Sequence, residues 1–185
     1  LVWTGREVLG ALFGYEKALF DSAYVARDSV MMHEKAYFMR SILTDLDMLT
    51  AQHPFSSMDK WIEMARDLGE SPEVKDYYEM NARRIVTTWG GDLNDYAMRS
   101  YSGLIANYQA VRWQLYIDEA FNSVRTGQEL RENERITATH HFEESYAHYR
   151  NEKFPKYPDV ELLALSRMLA SKYATELNAW LGTLK

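Results

Sequence analysis

From Val8 to Leu177 apolar residues return at spacings of three and four, and nowhere does strict alternation last long enough to make a half-buried strand. That period commits the chain to helices, because it places apolar side chains on one side of a 3.6-residue turn. Only 9 Gly and 4 Pro occur in 185 residues, clustered at a few places. Such scarcity permits long uninterrupted helices and argues against a turn-rich β-sandwich. Hydrophobic residues make up 46% and charged residues 26%, a globular rather than a disordered balance. The expected fold is all-α: one domain over residues 1–185, a bundle-like array of about seven helices with no sheet.

The helix ends are written in the chain. A first helix is expected over about 3–25, with Gly10 and Gly14 as a small-xxx-small pair suited to close helix contact. Asp28 or Ser29 caps a second, to about 52, with Val30, Tyr37, Phe38, Ile42, Leu46 and Leu49 as its core face. Ser56 or Ser57 caps a short third helix that stops at Leu68-Gly69. Ser71, Pro72 and Glu73 give the clearest start of all: a capping hydroxyl, a proline where no N–H is needed, and a carboxylate at the positive dipole end. This fourth helix is expected to reach about Thr88, before Trp89-Gly90-Gly91 breaks the pattern. A fifth, over about 92–126, carries the stripe Ala97, Tyr101, Leu104, Tyr108, Val111 and Leu115 and ends at Gly127. A polar sixth follows over about 130–151, then a stiff connector Phe154-Pro155-Lys156-Tyr157-Pro158. A single last helix, about 159–181, holds Val160, Leu163, Leu165, Leu169, Tyr173 and Leu177.

Charge and composition remove several functions. The net charge of −6 supplies no basic face for phosphate, so no nucleic acid is expected as a partner. With no Cys there is no disulfide, thiolate nucleophile or Cys-ligated metal. No run approaches the roughly 18 apolar residues a membrane helix needs, and no membrane partner is expected.

Motif chemistry is equally sparse. His140, Glu144 and His148 share one helix face, but eight residues of helix span about 12 Å, too far for both imidazoles to hold one zinc ion. A solvated polar face explains them better. A di-iron bundle needs Glu three residues before His, and the residues there are Val30, Thr50, Thr137, Ala138 and Ser145. Neither a phosphate-binding glycine loop nor a Gly-x-Ser-x-Gly elbow is present. No metal or cofactor is expected.

The stretch Thr88 to Trp113 stands apart. Trp89, Tyr96, Tyr101, Tyr108 and Trp113 surround Asp92, Asn94, Asp95, Arg99 and Arg112. Aromatic faces beside carboxylate, amide and guanidinium groups suit a saccharide, which offers C–H faces and hydroxyl edges. The same pattern also suits an ordinary core, since Tyr101 and Tyr108 fall on the apolar stripe and Arg112 can pair with an acid. Trp89, in a break beside two glycines, is placed to be presented rather than buried.

Trp89-Gly90, Leu93, Asp95-Tyr96-Ala97, Ser102-Gly103-Leu104, Tyr108 and Arg112-Trp113, taken in order, resemble the C-terminal helical domain of the α-N-acetylglucosaminidases. Upstream, Leu46-Asp47 with Leu49, Trp61 with Ala65-Arg66, and Tyr78-Glu79 with Asn81-Ala82-Arg83 are similar to the same family. Gln109 stands where a second Tyr occurs in the family. The resemblance implies a parent glycoside hydrolase of which this is a C-terminal piece, in keeping with a chain that opens on Leu and is helical within a few residues. Its partner would be a catalytic (β/α)8 barrel of the same parent chain. Its substrate would be terminal α-linked GlcNAc of a glycan, cleaved with retention by two carboxylates of the barrel. This piece alone would then be inactive, with no catalytic residue of its own. Trp89, Leu93 and Tyr96 would help wall the sugar pocket, and Asp95, Arg99 and Arg112 would support it from behind. Absence of Cys and of Asn-x-Ser/Thr sequons suits a bacterial parent, periplasmic or secreted, engaged in glycan degradation, better than a lysosomal glycoprotein. The rival expectations are a free-standing helical interaction module with an aromatic groove, and a bundle enclosing a small molecule.

Overall fold

The structure, a computed structural model, describes residues 1–89 and 99–184. Among the described residues every regular element is a helix; there is no strand, only one isolated parallel bridge between Ser57 and Ser102. Helices α1 (Val2–Val25) and α2 (Ser29–Ala51) form a long hairpin, followed by α3 (Met58–Asp67) and α4 (Pro72–Ile85). A π-helical turn, Ile105–Gln109, leads into α5 (Ala110–Thr126); α6 (Glu132–Ala147), α7 (Leu162–Lys172) and α8 (Ala174–Gly182) complete the chain. None of the described helices is long and apolar enough to cross a membrane.

Two of the expected caps form, whereas Ser57 stands at the start of α3 without a side-chain capping hydrogen bond. The Asp28 carboxylate accepts the Met31 N–H at 3.0 Å, and the Ser71 hydroxyl accepts the Val74 N–H at 3.4 Å with Pro72 at the first turn. Gly127, at φ 72°, closes α5 in the left-handed conformation.

Two apolar cores result. The larger packs α1 and α2 against α5 and α7 through Leu12, Phe20, Met39, Ile42, Ile117 and Leu169. The smaller gathers Met58, Ile62, Val86, Leu104, Tyr108 and Tyr146 beneath the ends of α3, α4 and the π turn.

Several expectations are corrected here. On α2, Val30 and Tyr37 face solvent, and Met32, Ala36, Met39 and Leu43 join Ile42, Leu46 and Leu49 inside. Helix α4 stops at Ile85 rather than Thr88. The fifth helix does not fill its expected range: residues 99–101 are non-helical, and helix is present only after Gly103, whose φ is 85°, among the described residues of that range. Gly103 is needed there because a Cβ would lie 2.6 Å from Phe154 Cδ1. The last helix is two: it breaks at Tyr173 (φ −106°, ψ 19°), whose buried hydroxyl is drawn to Asp45 at 2.6 Å, and Val160 and Leu163 are exposed. Gly10 and Gly14 make no close contact, since a Cβ at either meets nothing within 4 Å; the tight approach is at Gly5, 2.7 Å from Leu49 Cδ2.

Candidate functional site

The end of α4 presents Trp89. Beyond Ile85 the chain turns, with the Trp89 N–H bonded to the Arg84 carbonyl at 2.7 Å and the buried Thr87 hydroxyl bonded to the Arg83 carbonyl at 2.7 Å. Trp89 itself sits at φ 57° and is 54% exposed. A large aromatic in a left-handed turn is held there by its surroundings, since the conformation is unfavourable for a side-chain-bearing residue. The indole therefore stands at the surface on a fixed base.

Arg99 returns beside it. Its N–H reaches the Val86 carbonyl at 3.3 Å and its carbonyl accepts the Gln109 side-chain amide at 2.9 Å. From there Ser102 pairs with the α2–α3 loop, donating its N–H to the Ser56 carbonyl (2.8 Å) and accepting the Met58 N–H (2.9 Å). Leu93, Asp95 and Tyr96, expected beside Trp89, lie outside the described residues, as do Asp92 and Asn94.

Arg112 lies on α5 and is turned toward α6. Its Nε lies 3.0 Å from Glu143 Oε1 on α6, and its guanidinium carbon lies 5.5 Å from the centre of the Tyr108 ring. The same Glu143 oxygen accepts the Tyr108 hydroxyl at 2.9 Å, with both side chains buried. On the polar face of α6, Glu144 takes Arg84 in a two-pronged pair (2.8 and 2.9 Å) and meets His148 Nε2 at 3.0 Å. Those contacts occupy two of the three residues that gave the zinc-like spacing, Glu144 and His148.

Helical spacing does not reveal that Arg83 and Asp47 are buried polar centres. Arg83, 1% exposed, bonds Glu79 at 2.9 Å and Glu152 of the connector at 2.5 Å, while stacking over Tyr146 at 4.9 Å. Arg66 adds Asp76 and Glu79 at 2.7 and 2.6 Å, lining a cleft of about 420 Å³ between α3, α4 and the connector. Nothing in helical spacing distinguishes these arginines from solvated ones; only the connector, folded back through Glu152, makes Arg83 interior. The second centre is Asp47, wholly buried on α2. It accepts the Gly103 and Ala106 N–H groups at 2.7 and 3.1 Å, the Tyr157 hydroxyl at 2.9 Å and the Ser102 hydroxyl at 3.3 Å. Burial pushes its carboxyl up from the ordinary range, and the donors pull the other way.

The chain matches the family model of the Alpha-N-acetylglucosaminidase (NAGLU) C-terminal domain over residues 1–172. It is 27% identical to human Alpha-N-acetylglucosaminidase over 162 residues, which is 86% of this chain and 21% of that protein. Its fold is similar to a Family 89 Glycoside Hydrolase from Clostridium perfringens solved in complex with 2-acetamido-1,2-dideoxynojirmycin. The TM-score is 0.79 at 20% identity, covering 91% of this chain and 20% of that one. A substituted form of the Clostridium perfringens enzyme, in complex with its substrate GlcNAc-alpha-1,4-galactose, gives a TM-score of 0.79 at 21% identity and the same coverage. The chain thus spans about a fifth of the length of the proteins it matches. Its helical fold and a family match running through all but its last residues make it a member of the C-terminal domain family of the α-N-acetylglucosaminidases.

Proposed function

We propose that this domain is the helical part of a retaining α-N-acetylglucosaminidase, packed on a catalytic (β/α)8 barrel of the same parent chain. In this reading it completes the pocket for a terminal α-linked GlcNAc, and the reacting carboxylates lie on the barrel. Trp89 gives an aromatic face for the sugar's C–H surface, with Leu93 and Tyr96 beside it. Arg112 holds the base through Glu143, and Arg99 anchors the returning chain, so neither need touch the sugar. Asp95 supports the pocket from behind. The parent is bacterial, periplasmic or secreted, and works in glycan degradation.

The observation that carries the reading is Trp89: a half-exposed indole on a rigid left-handed turn, at a position of the family's Trp-Gly motif. A half-exposed indole offers an aromatic face on which the C–H surface of a sugar can stack. The test compares the purified domain with the full-length protein on a chromogenic α-GlcNAc glycoside. The domain alone releases no chromophore and the full-length protein does. Turnover by the isolated domain overturns the division of labour.

A further inference from the structure

Asp47 is distant in sequence from Trp89, yet it controls the chain that closes behind it. Its Oδ1 alone accepts the N–H groups of Gly103 and Ala106 at the start of the π turn, as a capping residue would, but from another helix. The Ser102 and Tyr157 hydroxyls complete its shell. Water cannot replace these contacts, because Asp47 is 0% exposed. What Asp47 seats is the short strap from Arg99 to Ala106. The far end of that strap bonds the Val86 carbonyl, in the same turn that raises Trp89. Asp47 thus anchors one end of the strap, and the other end is bonded to the turn that carries Trp89.

We infer that Asp47 is a positioning residue for substrate affinity, acting through the Val86–Trp89 turn; this rests on the reading of Trp89 as a sugar platform. It touches neither sugar nor reacting atoms. Losing its carboxylate leaves the Gly103 and Ala106 N–H groups buried without an acceptor, so the strap shifts to find one and the indole shifts with it. Asparagine keeps an oxygen for those two N–H groups, and the two hydroxyls can reverse direction to accept from its amide. The damage is therefore graded.

The test is steady-state kinetics of the full-length protein on a chromogenic α-GlcNAc glycoside, with Asp47→Ala, Asp47→Asn, Trp89→Ala and both double variants. Asp47→Ala raises KM on the order of tenfold with kcat within about twofold of the parent, and Asp47→Asn raises it less. In the Trp89→Ala background neither Asp47 substitution has a further effect, because the residue acts through that indole. If Asp47→Ala does not fold, the Asp47→Asn cycle carries the same test. A fall in kcat with KM unchanged, effects that multiply with those of Trp89→Ala, or kinetics untouched by Asp47 substitution would each overturn the inference. Those outcomes, seen together with a Trp89→Ala defect, leave the pocket reading standing. A Trp89→Ala variant with normal kinetics overturns both.

Discussion

The Phe154 ring lies against Gly103 so closely that a Cβ built on the glycine would stand 2.6 Å from Phe154 Cδ1. The same glycine has φ 85° and donates its N–H to Asp47 at 2.7 Å. Backbone conformation, the connector and the buried carboxylate meet at this one residue.

Gly103→Leu therefore meets two penalties at once. A positive φ disfavours any L side chain by about 1–2 kcal/mol, and overpacking adds roughly 1–3 kcal/mol. Urea denaturation of the domain should show a loss of about 2–5 kcal/mol relative to the parent. A neutral substitution would mean that Phe154 does not pack there.

Arg83 is the interior counter-charge for Glu79 and Glu152. Arg83→Met keeps much of the volume but takes the cation from half-buried Glu152 and leaves buried Glu79 to Arg66, so a loss near the lower end of about 3–5 kcal/mol is expected in the same denaturation experiment. Adding Glu152→Gln should recover part of it, because the stranded charge is then gone. An Arg83→Met domain as stable as the parent would contradict the buried network.

Glu16 is fully buried between α1 and α2, with the Lys35 ammonium 3.4 Å away. Burial pushes its carboxyl up against the pull of Lys35, with Glu34 and Glu176 pushing the same way as burial. A raised carboxyl binds its proton better in the folded state. The stability this gives is complete below the ordinary glutamate range and is lost as pH rises through the raised value. Glu16→Gln stays uncharged throughout, so its stability relative to the parent should improve as pH rises above the ordinary glutamate range. A difference that does not change with pH would show that Glu16 titrates normally.

Gly10 and Gly14 lie on the solvent side of α1 with open space where a Cβ would go. Alanine at either adds helix propensity and costs no packing. Each substitution should stabilise the domain by about 0.5–1 kcal/mol, read as a higher denaturation midpoint. Destabilisation would restore the close contact that their spacing suggests.

Local chemistry made the helix starts legible, as at Ser71-Pro72 and Asp28, because a cap needs only its own neighbours. The faces of α2 were harder to read. Val30 and Tyr37 are as apolar as Met32 and Met39, and only the partner helices decide which go inside. The break before Gly103 was illegible for a related reason. The residues that hold it open, Asp47, Ser56 and Phe154, come from remote parts of the chain. The exposure of Trp89 followed from its place beside Gly90-Gly91, whereas Asp47 looked like any acid on an amphipathic helix until its four donors were in place.

In the proposed function the Trp89 indole serves the sugar and not the fold. Trp89→Ala in the full-length protein measures this through kcat/KM on an α-GlcNAc glycoside alongside thermal stability. A fall on the order of tenfold to a hundredfold is expected, equivalent to about 1.4–2.7 kcal/mol of transition-state binding, with the melting temperature nearly unchanged. Unchanged kcat/KM, or a loss that only tracks unfolding, would contradict it.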